Sequence, residues 1–200
     1  MREIEIKAKV TNKTALIDAI TRAGIVLSSP IKQHDVVYGQ KDVADNAPGS
    51  IWLRVRIEND TKIFFTLKQQ HTGGLDSIEH ETEVSSAEEI TSIIVALGFT
   101  LYSDLTKTRQ KAHFNNIEIC VDDVEDLGIF IEAEQLTDEN ADGKAVAEFL
   151  WVELEKFGVD RSGEVFQGYD ERGRENIAAA KSIQQIECAY GASTRSASRV

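Results

Sequence analysis

The first ten residues already limit what this chain can fold into. From Arg2 to Val10 a charge falls at every second position, with Glu3, Glu5, Lys7 and Lys9 on one side and Ile4, Ile6, Ala8 and Val10 on the other. A period of two means a strand with one charged and one apolar face. The rhythm returns along the chain: Arg54 and Arg56 lie between Leu53, Val55 and Ile57, and Lys68 follows Phe64 and Thr66. Next come Glu79, Glu81 and Glu83, then Lys107 and Arg109, then Glu118 and Asp122 among Ile117, Ile119 and Val121, and last Glu132 and Glu134 beside Ile131 and Ala133. Such faces point either to water or into a lumen. An open antiparallel sheet would solvate them. Here acidic and basic pairs are segregated by strand, whereas a solvated face is usually mixed and rich in Ser and Thr. The segregation favours the lumen, where charges need opposite charges, metals or a ligand.

Turn and cap signals divide the chain into about eight strands and three helices. Strands are expected over 2–10, 31–38, 50–58, 61–69, 77–84, 100–114, 117–124 and 129–136. Asn59-Asp60 and Asn115-Asn116 read as tight hairpin turns that tolerate positive φ, and Asp126-Leu127-Gly128 leads into the last strand. Helices are expected over 13–23 behind Asn12, after the Ser86-x-x-Glu89 capping box up to Gly98, and over 142–157 with Gly158 as its stop. Consecutive strands with short connections imply an antiparallel sheet, and so many strands can remove their edges by closing into a barrel. From about 174 the composition shifts to Ala, Ser, Gln and Arg, which reads as an extension whose last ten or so residues are disordered.

The 200 residues carry a net charge of −12. That argues against a general nucleic-acid or membrane-surface binder, which would show a basic face; any anion site must concentrate its cations locally. Cys120 and Cys188 lie far apart without metal-binding spacing and read as free thiols of a reducing compartment. The charged N-terminus has no apolar signal core, and no apolar run approaches bilayer length, so a cytoplasmic location is expected. His34, His71, His80 and His113 fit no zinc spacing, and His80 falls on the apolar side of its strand. Trp52 and Trp151 read as core residues, and core packing is the favoured role of Tyr38 and Phe130.

Residue chemistry narrows what a lumen of this kind can do. Glu-x-Glu pairs supply hard oxygen ligands for Mg²⁺ or Mn²⁺. Arg and Lys bind phosphate oxygens, Arg with a bidentate fork. Phosphoryl transfer needs positioning, metal charge and cations aimed at the transferring group. The other common phosphate grip, a GxxxxGK[ST] loop, does not occur in the sequence.

Glu3-Ile4-Glu5-Ile6-Lys7 resembles the ExExK signature of the CYTH superfamily, the triphosphate tunnel metalloenzymes, and the rest of the chain follows in order. Gln33-His34-Asp35-Val36-Val37-Tyr38 resembles its QxDxY region, Leu53-Arg54-Val55-Arg56 its LRxR strand, Thr66-Leu67-Lys68 its TxK, Glu79-His80-Glu81-Thr82-Glu83 its acidic strand and Lys107-Thr108-Arg109 its KxR. Val121-Asp122, Val124, Leu127-Gly128, Phe130, Glu132 and Glu134 resemble its D-x-V-x-x-LG-x-F-x-E-x-E pattern. The resemblance is greatest to the class IV adenylyl cyclase branch, with thiamine and inorganic triphosphatases as relatives. It implies an α+β fold, a closed eight-stranded antiparallel β barrel with helices packed outside, over a domain of residues 1–172, leaving 173–200 as the extension. It also implies a metal-dependent enzyme for a small-molecule triphosphate such as ATP, tripolyphosphate or thiamine triphosphate. Glu3, Glu5, Glu132 and Glu134 would hold Mg²⁺ or Mn²⁺, with Glu81 beside them; Lys7, Arg54, Arg56, Lys68, Lys107 and Arg109 would be catalytic and bind the phosphates. Asp122 and Glu83 would position those cations or a second metal. Gly168-Tyr169-Asp170-Glu171 is the nearest match to the family's C-terminal Ser-Tyr motif but lacks its leucines, so Tyr169 receives no role. A non-catalytic polyphosphate- or nucleotide-binding module is the competing reading, and a barrel plugged by internal salt bridges is a third. Monomer and homodimer both stay open.

Overall fold

The computed structural model describes residues 2–40, 47–72, 75–166 and Tyr169. Eight strands form a closed antiparallel barrel: β1 (Arg2–Val10), β2 (Ile31–Gln40), β3 (Ile51–Glu58), β4 (Lys62–Gln70), β5 (Asp76–Val84), β6 (Phe99–Phe114), β7 (Ile117–Val124) and β8 (Gly128–Thr137), in the order β1-β5-β4-β3-β2-β6-β7-β8. Helices α1 (Lys13–Arg22), α2 (Ala87–Ala96) and α3 (Gly143–Glu155) lie outside. The fold is therefore α+β, as the resemblance implies. The expected 173–200 extension lies outside the described residues, and so does Cys188. Among the described residues no helix is long and apolar enough to cross a membrane.

The hairpins turn where the asparagines stand. Asn59 and Asp60 take φ of 47° and 56°, and Asn115 and Asn116 take 49° and 61°. Two consecutive residues in the left-handed region match the twist of a tight hairpin. Each helix is started by a side chain: Asn12 accepts from the Ala15 N–H, Ser86 from the Glu89 N–H, and Asp142 from the Lys144 and Ala145 N–H groups.

The apolar faces point outward, and the helices cover them. Ile4 and Ile6 of β1, Ile119 of β7 and Ile131 of β8 pack with Leu16 and Ile20 of α1 and Leu150 and Leu154 of α3. On the opposite wall Tyr38, Leu53 and Val55 pack with Ile94 of α2. A third cluster, of Leu105, Val124, Phe130, Val165 and Tyr169, differs in that Leu105 and Tyr169 line the lumen. With the apolar faces used outside, alternation sends the charged faces into the lumen.

Closure rests on β1. It pairs with β8 over its whole length but with β5 only from Arg2 to Ile4. The seam is clasped by Arg2, which grips Asp76 with two bonds of 2.9 and 3.0 Å and donates to the carbonyls of Glu139 and Ala141. Farther along β1 a C-terminal segment substitutes for β5: Ala8 bridges Glu164, and the Val165 N–H donates to the Lys7 carbonyl at 2.9 Å. Gly163 makes that approach possible, since a Cβ there would lie 2.7 Å from the Lys9 carbonyl oxygen.

Ile131 has no solvent exposure and sits where β8 meets the outer helices. Ile131→Ala should cost about 2–5 kcal/mol of stability in urea unfolding. A loss well under about 1 kcal/mol would show that the helical layer does not pack against the barrel as described.

Candidate functional site

The lumen holds a cavity of about 320 Å³. One wall comes from β1 and β8, where Glu5 lies opposite Glu134 and Lys7 opposite Glu132. Carboxylate oxygens of Glu3, Glu5 and Glu134 fall within 4.8 Å of one another. Burial and then Glu79 push the Glu3 carboxyl up to about 8; burial and then Glu3 and Glu5 push Glu134 up to about 9; burial and Glu132 also raise Glu5. Crowding and burial thus disfavour the ionised form of all three carboxyls unless a cation joins them. Their donor set is all oxygen, which fits Mg²⁺ or Mn²⁺ better than a softer ion.

The facing wall carries the cations, already aimed by fixed carboxylates. Asp35 takes both arms of Arg56, at 2.6 and 2.7 Å. Asp122 accepts from Arg109 at 2.7 Å and lies 3.2 Å from the Lys107 ammonium. Arg109 also pairs with Glu132, and Lys68 with Glu79 at 2.7 Å. Burial opposes the charge on Glu132, yet Arg109, Lys7 and Lys107 overcome it and hold its carboxyl well below the usual range. Burial likewise opposes Lys7, but Glu132 and Glu5 more than offset it and keep the ammonium charged. Burial and the neighbouring Arg109 push Lys107 down. Arg54 donates to Thr66 at 3.1 Å and to Glu81 at 3.2 Å, while its buried Nε–H has no acceptor.

Lys7, Arg54, Arg56, Lys68, Lys107 and Arg109 all line the cavity, together with Glu3, Glu5, Glu81, Glu132 and Glu134. Four details differ from the sequence reading. Glu83 is exposed and outside the lining, one residue from the end of β5, where it stands opposite Phe64 of β4. Glu81 belongs with Arg54 and Thr66, not with the three crowded carboxyls. Glu132 is engaged by Lys7 and Arg109. Trp52, expected in the core, shares the strand parity of Arg54 and Arg56 and lines the lumen; its apolar character, not its position, suggested otherwise.

Other lining residues went unassigned. Asp35 could have been found by parity, since it shares an inward face with Val37; Glu79 was placed by parity beside Glu81 but given no role. Lys111 also lines the cavity, on the inward side of β6 that Lys107 and Arg109 share, and it pairs with Glu118 at 2.6 Å. Tyr169 closes one end: its ring centroid is 4.0 Å from the Lys7 ammonium, 5.0 Å from that of Lys107 and 5.0 Å from the Phe130 ring. Its sequence signal was the partial match of Gly168-Tyr169-Asp170-Glu171 to the family's C-terminal motif, since no periodicity announces a residue brought in from so far along the chain.

The chain thus builds a closed barrel in which a carboxylate wall faces a cation wall across the lumen. The chain belongs to the CYTH domain family, whose model matches residues 1–169. It is 28% identical over 172 residues to "Putative adenylate cyclase MJ0240" of Methanocaldococcus jannaschii, an alignment covering 84% of this chain and 97% of that one. The fold is shared with PH1012 of Pyrococcus horikoshii, with a TM-score of 0.72, 24% identity and coverage of 84% and 98%. It is shared more distantly with HpAC1 of Hippeastrum, with a TM-score of 0.52, 16% identity and coverage of 84% and 90%; that protein is described as having a dominant triphosphatase activity.

The crowded carboxyls make stability depend on pH. A carboxyl raised in the folded state favours folding below its ordinary value of 4.5, and that advantage is lost as pH rises through about 8 for Glu3 and about 9 for Glu134. Metal-free protein should melt at falling temperature from about pH 6 to about pH 9, and Glu134→Gln should flatten the slope. A level wild-type profile in that window would show that these carboxyls do not crowd one another.

Proposed function

We propose that this chain is a divalent-metal-dependent enzyme that binds a triphosphate in the barrel lumen and breaks one of its phosphoanhydride bonds. The observation that carries the reading is the pairing, in one cavity, of a three-carboxylate group lacking enough cations with a set of buried cations that includes a donor lacking an acceptor. Family membership and the names of the Methanocaldococcus and Hippeastrum proteins support a triphosphate as substrate.

Glu3, Glu5 and Glu134 would hold Mg²⁺ or Mn²⁺, with Glu132 beside them. When bound, the ion neutralises charge on phosphate oxygens and so favours attack at phosphorus. The rest falls to the protein. Arg54, Arg56, Lys68, Lys107 and Arg109 bind phosphate oxygens, Arg54 through its open Nε–H. Asp35 and Asp122 are positioning residues that hold Arg56, Lys107 and Arg109 in fixed directions, so that little reorganisation accompanies the reaction. Lys7, kept charged by Glu5 and Glu132, serves as a cation and not as a base. Glu81 tethers Arg54 at the edge of the site.

Two reactions use these groups. In a cyclase, the ribose 3′-hydroxyl of ATP attacks the α-phosphorus and pyrophosphate leaves; in a triphosphatase, water attacks the terminal phosphorus, the diphosphate portion leaves, and the attacked phosphorus is released as orthophosphate. The net charge of −12 supports a small-molecule partner over nucleic acid. The competing binding-module reading has less support, because anion binding alone gives no reason to gather Glu3, Glu5 and Glu134.

Phosphorus NMR after incubation with ATP or tripolyphosphate and Mg²⁺ or Mn²⁺ should show turnover that a chelator stops. Pyrophosphate with cyclic AMP identifies the cyclase, and orthophosphate the triphosphatase. Glu134→Gln should lower the rate at least about a hundredfold while leaving the circular dichroism unchanged. Full activity in that variant would sink the metal assignment, and binding without turnover in the wild type would favour the binding module.

A further inference from the structure

Tyr169 is the lumen residue that no barrel strand supplies. The segment leading to it is fastened to β1 by its backbone, since the Val165 N–H donates to the Lys7 carbonyl and Ala8 bridges Glu164. The indole N–H of Trp151 in α3 donates to the Glu164 carboxylate at 3.2 Å and holds the same segment from outside. A few residues on, the Tyr169 ring lies against the side chain of that same Lys7, whose ammonium is 4.0 Å from the ring centroid, and the Lys107 ammonium is 5.0 Å from it. Phe130 meets the ring edge-on, with planes at 65°, and Leu105 and Val124 pack with the pair.

A tyrosine this well buried usually finds a partner for its hydroxyl. The Tyr169 hydroxyl is buried and makes no hydrogen bond among the described residues. A buried hydroxyl without a partner costs stability, so what this residue contributes is its ring. The face of an aromatic ring carries partial negative charge and attracts an ammonium group within about 6 Å. Unlike a carboxylate, it does so without neutralising the charge that a bound anion needs.

The two lysines depend on that attraction to different degrees. Lys7 has carboxylates at 3.1 Å and 3.0 Å, from Glu5 and Glu132. Lys107 has Asp122 at 3.2 Å but Asp35 only at 3.8 Å, while burial and then Arg109 oppose its charge. A lysine stem is flexible, so an ammonium held by one close partner can swing. The ring gives Lys107 a second hold.

We propose that Tyr169 is a positioning residue whose ring keeps the Lys107 and Lys7 ammonium groups in place for the phosphate oxygens of the substrate. The inference rests on the lumen being a triphosphate site. It makes the docking of the segment around Glu164 and Val165 part of that site, because this segment brings in the ring. An ammonium already in place loses less freedom when the anion arrives, and binding is tighter for it.

Calorimetry with tripolyphosphate and Mg²⁺ tests it on wild type, Tyr169→Phe, Tyr169→Leu and a protein carrying a trifluorinated phenylalanine at position 169. Fluorine withdraws charge from the ring face and leaves the shape of the side chain nearly unchanged. Tyr169→Phe should keep the wild-type affinity within about twofold, because only an unbonded hydroxyl is lost. The trifluorinated ring should bind about tenfold more weakly than Tyr169→Phe, and Tyr169→Leu should lose at least as much. Equal affinities for the trifluorinated ring and Tyr169→Phe would overturn the proposal, since packing alone would then explain the residue. A Tyr169→Phe variant as weak as Tyr169→Leu would overturn it as well, since the hydroxyl and not the ring would carry the effect. Both of those results leave the triphosphate site standing, whereas a wild type that does not bind tripolyphosphate would overturn both.

Discussion

Removing a charge from water costs several kcal/mol unless a partner replaces the lost solvation. Eight strands with charged inner faces incur that cost repeatedly when they close, so the pairing of charges in the lumen governs everything else about it. On the cation side the matching is thorough: Asp35 holds Arg56, Asp122 and Glu132 hold Arg109, Glu79 holds Lys68. On the carboxylate side it is not, because Lys7 is shared between Glu5 and Glu132 while Glu3 and Glu134 crowd against Glu5. This asymmetry is what the proposed site for a metal-bound anion would use: the cations are held by carboxylates that belong to the protein, and Glu3, Glu5 and Glu134 crowd together with fewer cations than charges.

Much of this was legible in the sequence because parity is a strict rule on a strand. Glu3, Glu5 and Lys7 had to share a face, and so did Arg54 and Arg56; the asparagine pairs at 59–60 and 115–116 fixed where the chain reversed. The rule failed wherever a residue's position depended on something other than its own strand. Tyr102 sits on a bulge, which exchanges the two faces of β6 above that point. Glu83 obeys parity but lies at the very end of β5, past the cavity that Glu79 and Glu81 still reach. Tyr169 enters the lumen from a segment whose contact with β1 no periodicity announces. Trp52 obeyed parity and was misplaced only because apolar character was weighed above position.

The strand that carries most of the carboxylate site is also the one that closes the barrel. β1 presents Glu3, Glu5 and Lys7 inward, and its edge is shared between three residues of pairing to β5 and the segment around Glu164 and Val165. Crowding of like charges would loosen such a seam. Two features oppose it: the Arg2 clasp on Asp76 at one end, and the outer face of Ile4, Ile6 and Ala8, each nearly without exposure, against α3 and the residues that follow it. Each of those side chains gains about 1–3 kcal/mol from burial, enough together to hold a strand whose inner face repels itself. The apolar residues that alternate with the carboxylates are therefore as necessary to the site as the carboxylates are, since without them the charges would not stay within reach of one ion.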